Sequence, residues 1–152
     1  CNGTSTSTNV ADASLDGAEI EAFYDNARFR VGVGFSTIDG ENEATGEPLG
    51  VLTPDEVSLS AAVKVPEVDI VAGWRGLIAS EFDNTNDPDE FRDAYDIHNF
   101  YVTWAPSQPA LKGLRVDLGI DNAFDEAYSR VFTGATEAGR NFKAQARYTL
   151  TW

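Results

Sequence analysis

NFKAQARYTLTW, residues 141–152, alternates without a break. Phe142, Ala144, Ala146, Tyr148, Leu150 and Trp152 share one parity, and Asn141, Lys143, Gln145, Arg147, Thr149 and Thr151 share the other. A period of two is that of a β-strand with one apolar and one polar face. In a chain that is 42% hydrophobic, chance seldom alternates this cleanly over such a length. The indole of Trp152 is both apolar and wettable, which suits a membrane–water boundary.

Working outward from that run, six further segments alternate in the same way. They cover residues 15–24, 27–37, 57–65, 68–79, 96–104 and 114–121. The connections between them also alternate. Asp25-Asn26 and Pro66-Glu67 are tight turns, and Pro106 with Pro109 ends the fifth segment. Residues 39–54, 81–93 and 125–139 are long and polar. Short turns at one end and long loops at the other are the rhythm of an up-and-down transmembrane β-barrel. The expected fold is therefore all-β and antiparallel. Closed single-chain barrels of this kind have an even strand number, so seven strands leave open edges and require more strands from elsewhere. Residues 1–14 are expected to end an extracellular loop, and 15–152 to supply C-terminal barrel strands.

The 152-residue chain begins at Cys1 and contains no methionine, so the expectation is a mature form or a piece of something longer. It has no apolar run of the ~18 residues a membrane helix needs, which leaves barrel strands untouched. A net charge of −14 argues against nucleic acid. Cys1, the one cysteine, excludes an internal disulfide framework. It either pairs with a cysteine upstream or is the acylated first residue of a lipoprotein.

A soluble sandwich would bury the apolar face against a second sheet, whereas a barrel turns it to lipid. The other face carries Glu19, Glu21, Arg28, Arg30, Lys64, Asp69, Arg75, Arg115, Asp117, Asp121, Lys143 and Arg147, of both signs. Gly32, Gly34, Gly73 and Gly119 leave room beside them. Such a face suits a wet or plugged lumen.

Several strings resemble the TonB-dependent outer-membrane receptors. Residues 118–128, LGIDNAFDEAY, resemble that family's N-x-F-D-x-x-Y signature. Gly139-Arg140-Asn141-Phe142 resembles the opening of its last strand, and Gly17-Ala18-Glu19-Ile20-Glu21 its G-x-E-x-E strand. Gly46-Glu47-Pro48-Leu49, Thr53-Pro54 and the 101–106 stretch YVTWAP fit in the same order. The resemblance implies a barrel of about 22 strands with a plugged lumen. It implies active uptake of a scarce nutrient, driven through an N-terminal segment that contacts the inner-membrane TonB complex. The run between these strings is most similar to receptors for haem or haemoproteins, with siderophores as the competing ligand. Lipid, lipopolysaccharide and the barrel-assembly machinery are the other implied partners, the last through the terminal strand. Two alternatives stand beside this reading: a small oligomeric outer-membrane β-protein or lipoprotein, and a soluble β-sandwich binding module.

The expected roles of the motif residues are structural. Asn122 bonds its own backbone to hold a turn or bulge at the strand exit. Phe124 and Tyr128 mark an outer aromatic girdle. Gly139 permits a positive φ at re-entry. Arg140 pins neighbouring carbonyls or carboxylates, Asp125 belongs to the 118–128 signature, and Trp152 anchors the terminus. No catalytic, cofactor or metal residue is assigned. His98, the one histidine, is a haem ligand by chemistry, but its parity points it to lipid with Phe100, Val102 and Trp104. Residues 83–90, DNTNDPDE, are oxygen-rich but carry Pro88 where a calcium loop needs glycine. Glu19 and Glu21 are placed for acid–base chemistry or, with Arg28 and Arg30, for a charge ladder across the first hairpin. No nucleophile elbow or phosphate loop is present, and no enzyme activity is expected.

Overall fold

A computed structural model describes residues 12–50, 52–131, 133 and 135–150. The apolar alternation resolves into seven strands: β1 (Ala13–Asp25), β2 (Phe29–Asn42), β3 (Glu56–Val65), β4 (Ile70–Ala79), β5 (Tyr95–Trp104), β6 (Leu114–Asp121) and β7 (Asn141–Tyr148). They form one antiparallel sheet in chain order, β1 to β7, so β1 and β7 are its edges. The sandwich alternative needs two sheets, and these strands make one.

Register carries each face across the strands. Tyr24, Val31, Ala61, Trp74, Phe100, Ile120 and Phe142 are consecutive cross-strand partners. One row along, Phe29, Val63, Ala72, Val102, Leu118 and Ala144 pair in the same way. These rows make a continuous apolar surface with no second layer over it: Ile20 is 67% exposed and Phe142 71%. Exposure of that extent is costly in water at about 25 cal/mol per Å² and neutral in hydrocarbon.

Several strand ends depart from the sequence reading. Strand β1 begins at Ala13 and β2 continues to Asn42, through register pairs that reach Ala13 opposite Asn42. Residues 39–42 were expected in a loop because they are polar. Ladder hydrogen bonds do not depend on side-chain polarity, so the hairpin runs on as a polar ribbon, and β1 takes in Ala13 and Ser14 of the expected loop end. Strand β4 starts at Ile70 because Pro66–Val68 is a 3-10 turn and Asp69 takes φ 58, ψ 36. Strand β7 ends at Tyr148. The terminal anchor Trp152 and the two readings of Cys1 lie outside the described residues.

The short turns are locked by their own side chains. Asn26 Oδ1 accepts from the Arg28 and Phe29 amides at 2.7 Å each. Asp69 Oδ2 accepts from the amide and hydroxyl of Ser107 at 2.8 and 2.9 Å, tying the second turn to the third. Arg28 Nη1 donates to Glu67 Oε2 at 2.7 Å, tying the first turn to the second.

Candidate functional site

The root of the β6–β7 connection, at the long-loop end, is held by a cluster of side-chain hydrogen bonds. Asn122 is 4% exposed and sits at φ 47, a backbone region that asparagine tolerates better than most side chains. Its Nδ2 donates to the carbonyls of Glu126 (2.8 Å) and Ala138 (3.3 Å), while its Oδ1 accepts from the Glu126 amide at 2.8 Å. One side chain therefore joins both limbs of the loop. Its own amide donates to Asn99 Oδ1 at 2.8 Å, holding the clip to β5.

Asp125 completes the clip from the outgoing limb. It has φ 63, and its Oδ1 accepts from the Arg140 amide at 2.7 Å. Gly139 is needed here for space. A Cβ on it would stand 2.6 Å from Asp125 Oδ1. The expected positive φ is absent, since the positive-φ glycines among the described residues are Gly46, Gly50 and Gly113. Arg140 contributes its backbone amide to this contact.

Phe124 and Tyr128 part company. Phe124 lies edge-on to His98 at 5.0 Å and to Phe100 at 6.5 Å, on the apolar face. Tyr128 instead packs on Tyr95 at 4.7 Å, beside Ile97 and Ala79, on the polar face. The shared girdle expected for the pair is corrected: parity breaks where the strand ends, and the left-handed residues Asn122 and Asp125 turn the chain inward. Arg92 joins this inward contact by donating from Nε to the Arg130 carbonyl at 3.3 Å. Neither Arg92 nor Tyr95 was singled out in the sequence, because loop-to-loop contacts leave no periodic trace.

His98 is engaged at both nitrogens. Trp74 Nε1 donates to Nδ1 at 3.0 Å, and Nε2 meets Asp96 Oδ2 at 2.9 Å. An indole N–H only donates, so Nδ1 is the unprotonated nitrogen and Nε2 carries the hydrogen. The ring stands on the apolar face with Trp74 stacked at 5.7 Å. No lone pair is free there for a metal.

The residues of the G-x-E-x-E string lie on β1, at the opposite edge of the sheet from the clip on β6 and β7. Gly17 faces Ile38, Glu19 faces Ser36 and Glu21 faces Gly34. The expected ladder from Glu19 and Glu21 to Arg28 and Arg30 does not form. Register sets Arg30 opposite Asp25, to which it is paired at 2.8 Å, and Arg28 reaches the next turn. In the acidic loop, Thr85 Oγ1 donates to Glu90 Oε2 at 2.6 Å, and Asp87 Oδ1 accepts from the Asp89 amide at 3.0 Å. Among the described residues no cluster of three or more His, Cys, Asp or Glu has metal-holding geometry.

The polar face carries a lattice of ion pairs, within and between strands. Asp25 takes both Arg30 and Lys64, and Lys143 pairs with Asp121. Arg115 pairs with Asp117 at 2.7 Å, and Thr103 Oγ1 donates to the same carboxylate at 2.6 Å. At the short-turn end, hydrogen bonds from Arg28 hold the Glu67 carboxyl below its ordinary range. The same bonds raise the Arg28 guanidinium.

One sheet in chain order, with an apolar face and a charged face, short turns at one end and clipped loops at the other, has the architecture of a section of a β-barrel. No family model matches the chain. It is 29% identical over 149 residues to the hemin receptor of Yersinia enterocolitica, covering 97% of this chain and 21% of that protein. It is 24% identical over 153 residues to TonB-dependent heme receptor A of Haemophilus influenzae (strain 86-028NP), covering 89% of this chain and 20% of that one. The chain thus spans about one fifth of the length of these relatives. The copper transporter OprC superposes with a TM-score of 0.78 at 16% identity, over 91% of this chain and 24% of that chain. The FrpB iron transporter from Neisseria meningitidis (F3-3 variant) gives 0.71 at 18% identity, over 90% and 23%. The chain is thus similar in sequence to part of these haem receptors and shares the β-barrel fold of these transporters.

Proposed function

We propose that this chain is the C-terminal barrel portion of a TonB-dependent outer-membrane receptor that takes up haem or another iron source. The observation that carries this reading is the relationship to haem receptors along nearly the whole chain, on a sheet whose faces suit lipid and lumen. In that setting the short turns face the periplasm and the long loops face outward. The apolar rows meet lipid, and the acidic outer loops meet lipopolysaccharide. The polar face meets the domain that plugs the lumen. The N-terminal part of the receptor engages the TonB complex, and the barrel-assembly machinery reads the C-terminal segment of the sequence, which includes Trp152.

The motif residues Gly17, Glu19, Glu21, Asn122, Phe124, Asp125, Tyr128, Gly139 and Arg140 then serve architecture and assembly. Haem passes as transported ligand and is not a resident cofactor, and no residue here is assigned catalysis. The test is growth on haem as sole iron source, by a strain lacking the full-length gene and by the same strain complemented. Restoration that requires the TonB complex supports the reading. Equal growth with and without the gene on haem, but not on a siderophore, moves the assignment to the siderophore.

A further inference from the structure

The inward-facing cations of the sheet are matched with carboxylates in four cases. Arg30 and Lys64 hold Asp25, Arg115 holds Asp117, and Lys143 holds Asp121. Among the described residues, Arg75 and the edge-strand Arg147 have no such pair. Arg75 is set apart by what lies under it. Its guanidinium carbon is 4.8 Å from the centre of the Tyr101 ring.

That ring is itself accommodated by a glycine. Tyr101 is flanked on its two neighbouring strands by Gly73 and Gly119, in one inward row. The ring leans onto Gly73, where a Cβ would come within 2.7 Å of Tyr101 Cε1. Any other residue at position 73 would push the ring away. A glycine thus makes room for a flat ring, and the ring supports a flat cation two residues along β4. Stacking uses the face of a guanidinium and leaves its edge N–H groups free. Those groups form a planar fork whose geometry matches a carboxylate.

We infer that Gly73, Tyr101 and Arg75 together form a preorganised carboxylate-binding site on the inward face of β4 and β5. The inference rests on the barrel reading, which makes this face the lumen. A carboxylate arrives there from one of two sources: the domain filling the lumen, or a carboxylate-bearing ligand such as haem on its way through.

The test uses the full-length receptor in its own outer membrane, with variants R75Q, R75K and Y101L. Assembly is checked by heat-modifiable gel mobility. Uptake is measured for haem and for haem dimethyl ester, and vancomycin sensitivity reports a loosened plug. If the ligand supplies the carboxylate, R75Q lowers haem uptake about tenfold and spares the ester, the loss expected for one charged hydrogen-bonding partner. If the plug supplies it, vancomycin sensitivity rises while haem and ester change alike. In both cases R75K is intermediate, because it keeps the charge and loses the fork. An assembled R75Q receptor matching wild type in all three readouts overturns the inference. Should R75Q fail to assemble, Y101L decides, since it removes the platform and keeps the cation; wild-type behaviour there is equally fatal. A wild-type receptor that takes up neither form of haem counts against the haem assignment alone, and vancomycin sensitivity still decides for the site.

Discussion

Arg28 in the first short turn holds Glu67 in the second through both carboxylate oxygens. The two residues are 39 apart in sequence and meet only because β2 and β3 pair in register. The contact therefore reports the register of β2 against β3.

Its dependence on pH has a definite sign. The Glu67 carboxyl is held below its ordinary value of 4.5, so the folded state prefers it ionised. The contribution is fully present above that value and is lost as pH falls through the lowered folded value. Both groups are exposed, so the effect is small and screened by salt. In detergent at low salt, the difference in thermal midpoint between wild type and E67Q should narrow from pH 6 toward acid. A gap that widens in acid would contradict this.

Asn122→Ala removes three side-chain bonds and places alanine at a positive φ. Stranding a buried partner costs about 1–3 kcal/mol, and the left-handed backbone adds about 1. The expected outcome is a loss of about 2–4 kcal/mol, read as a lower urea midpoint, with early protease cuts in the 123–139 loop. Asn122→Asp should fall between, because it keeps the acceptor for the Glu126 amide and loses the donor. An Asn122→Ala loop as protease-resistant as wild type would mean that the clip is dispensable.

Gly139→Ala tests crowding against backbone freedom. The added Cβ meets Asp125 Oδ1, so Asp125 must release the Arg140 amide. At Gly46, with φ 69, nothing lies within 4 Å of a Cβ, and only backbone strain applies. Double substitution settles which cause acts. Asp125→Ala should absorb most of the effect of Gly139→Ala, a coupling of about 0.5–3 kcal/mol, and none of the effect of Gly46→Ala.

Tyr128→Ala should free the tip of the β6–β7 loop and leave its root in place, because the Tyr95 contact and the Asn122 clip are separate. Aromatic pairs contribute about 0.5–1.5 kcal/mol beyond their buried area. Hydrogen exchange should accelerate around residues 129–131 with little change at Asn122. Tyr128→Phe, which keeps the ring, should stay close to wild type. Equal acceleration at the root would show that the two contacts form one unit.

The strands were legible because a half-buried ladder writes its period into side-chain polarity. β6 was placed at 114–121, as observed, since its charges and aliphatics alternate without interruption. Legibility failed where pairing continues without polarity contrast, as at residues 39–42, and where a left-handed residue redirects the chain, as after Asn122. Partners of charges were also poorly legible. Glu19, Glu21, Arg28 and Arg30 seemed natural neighbours by distance along the chain, yet register gave both arginines other carboxylates. The Gly73, Tyr101 and Arg75 stack becomes visible only once β4 and β5 are aligned, because Tyr101 lies 28 and 26 residues beyond Gly73 and Arg75.

Register in this sheet is decided by turns of a few residues at one end, each closed by its own asparagine, proline or aspartate. The opposite end carries the long connections, and the ladder does not consult them. The middle of a long connection, beyond a clip such as that of Asn122 at its root, can therefore change in length or sequence while the frame beneath keeps its alignment.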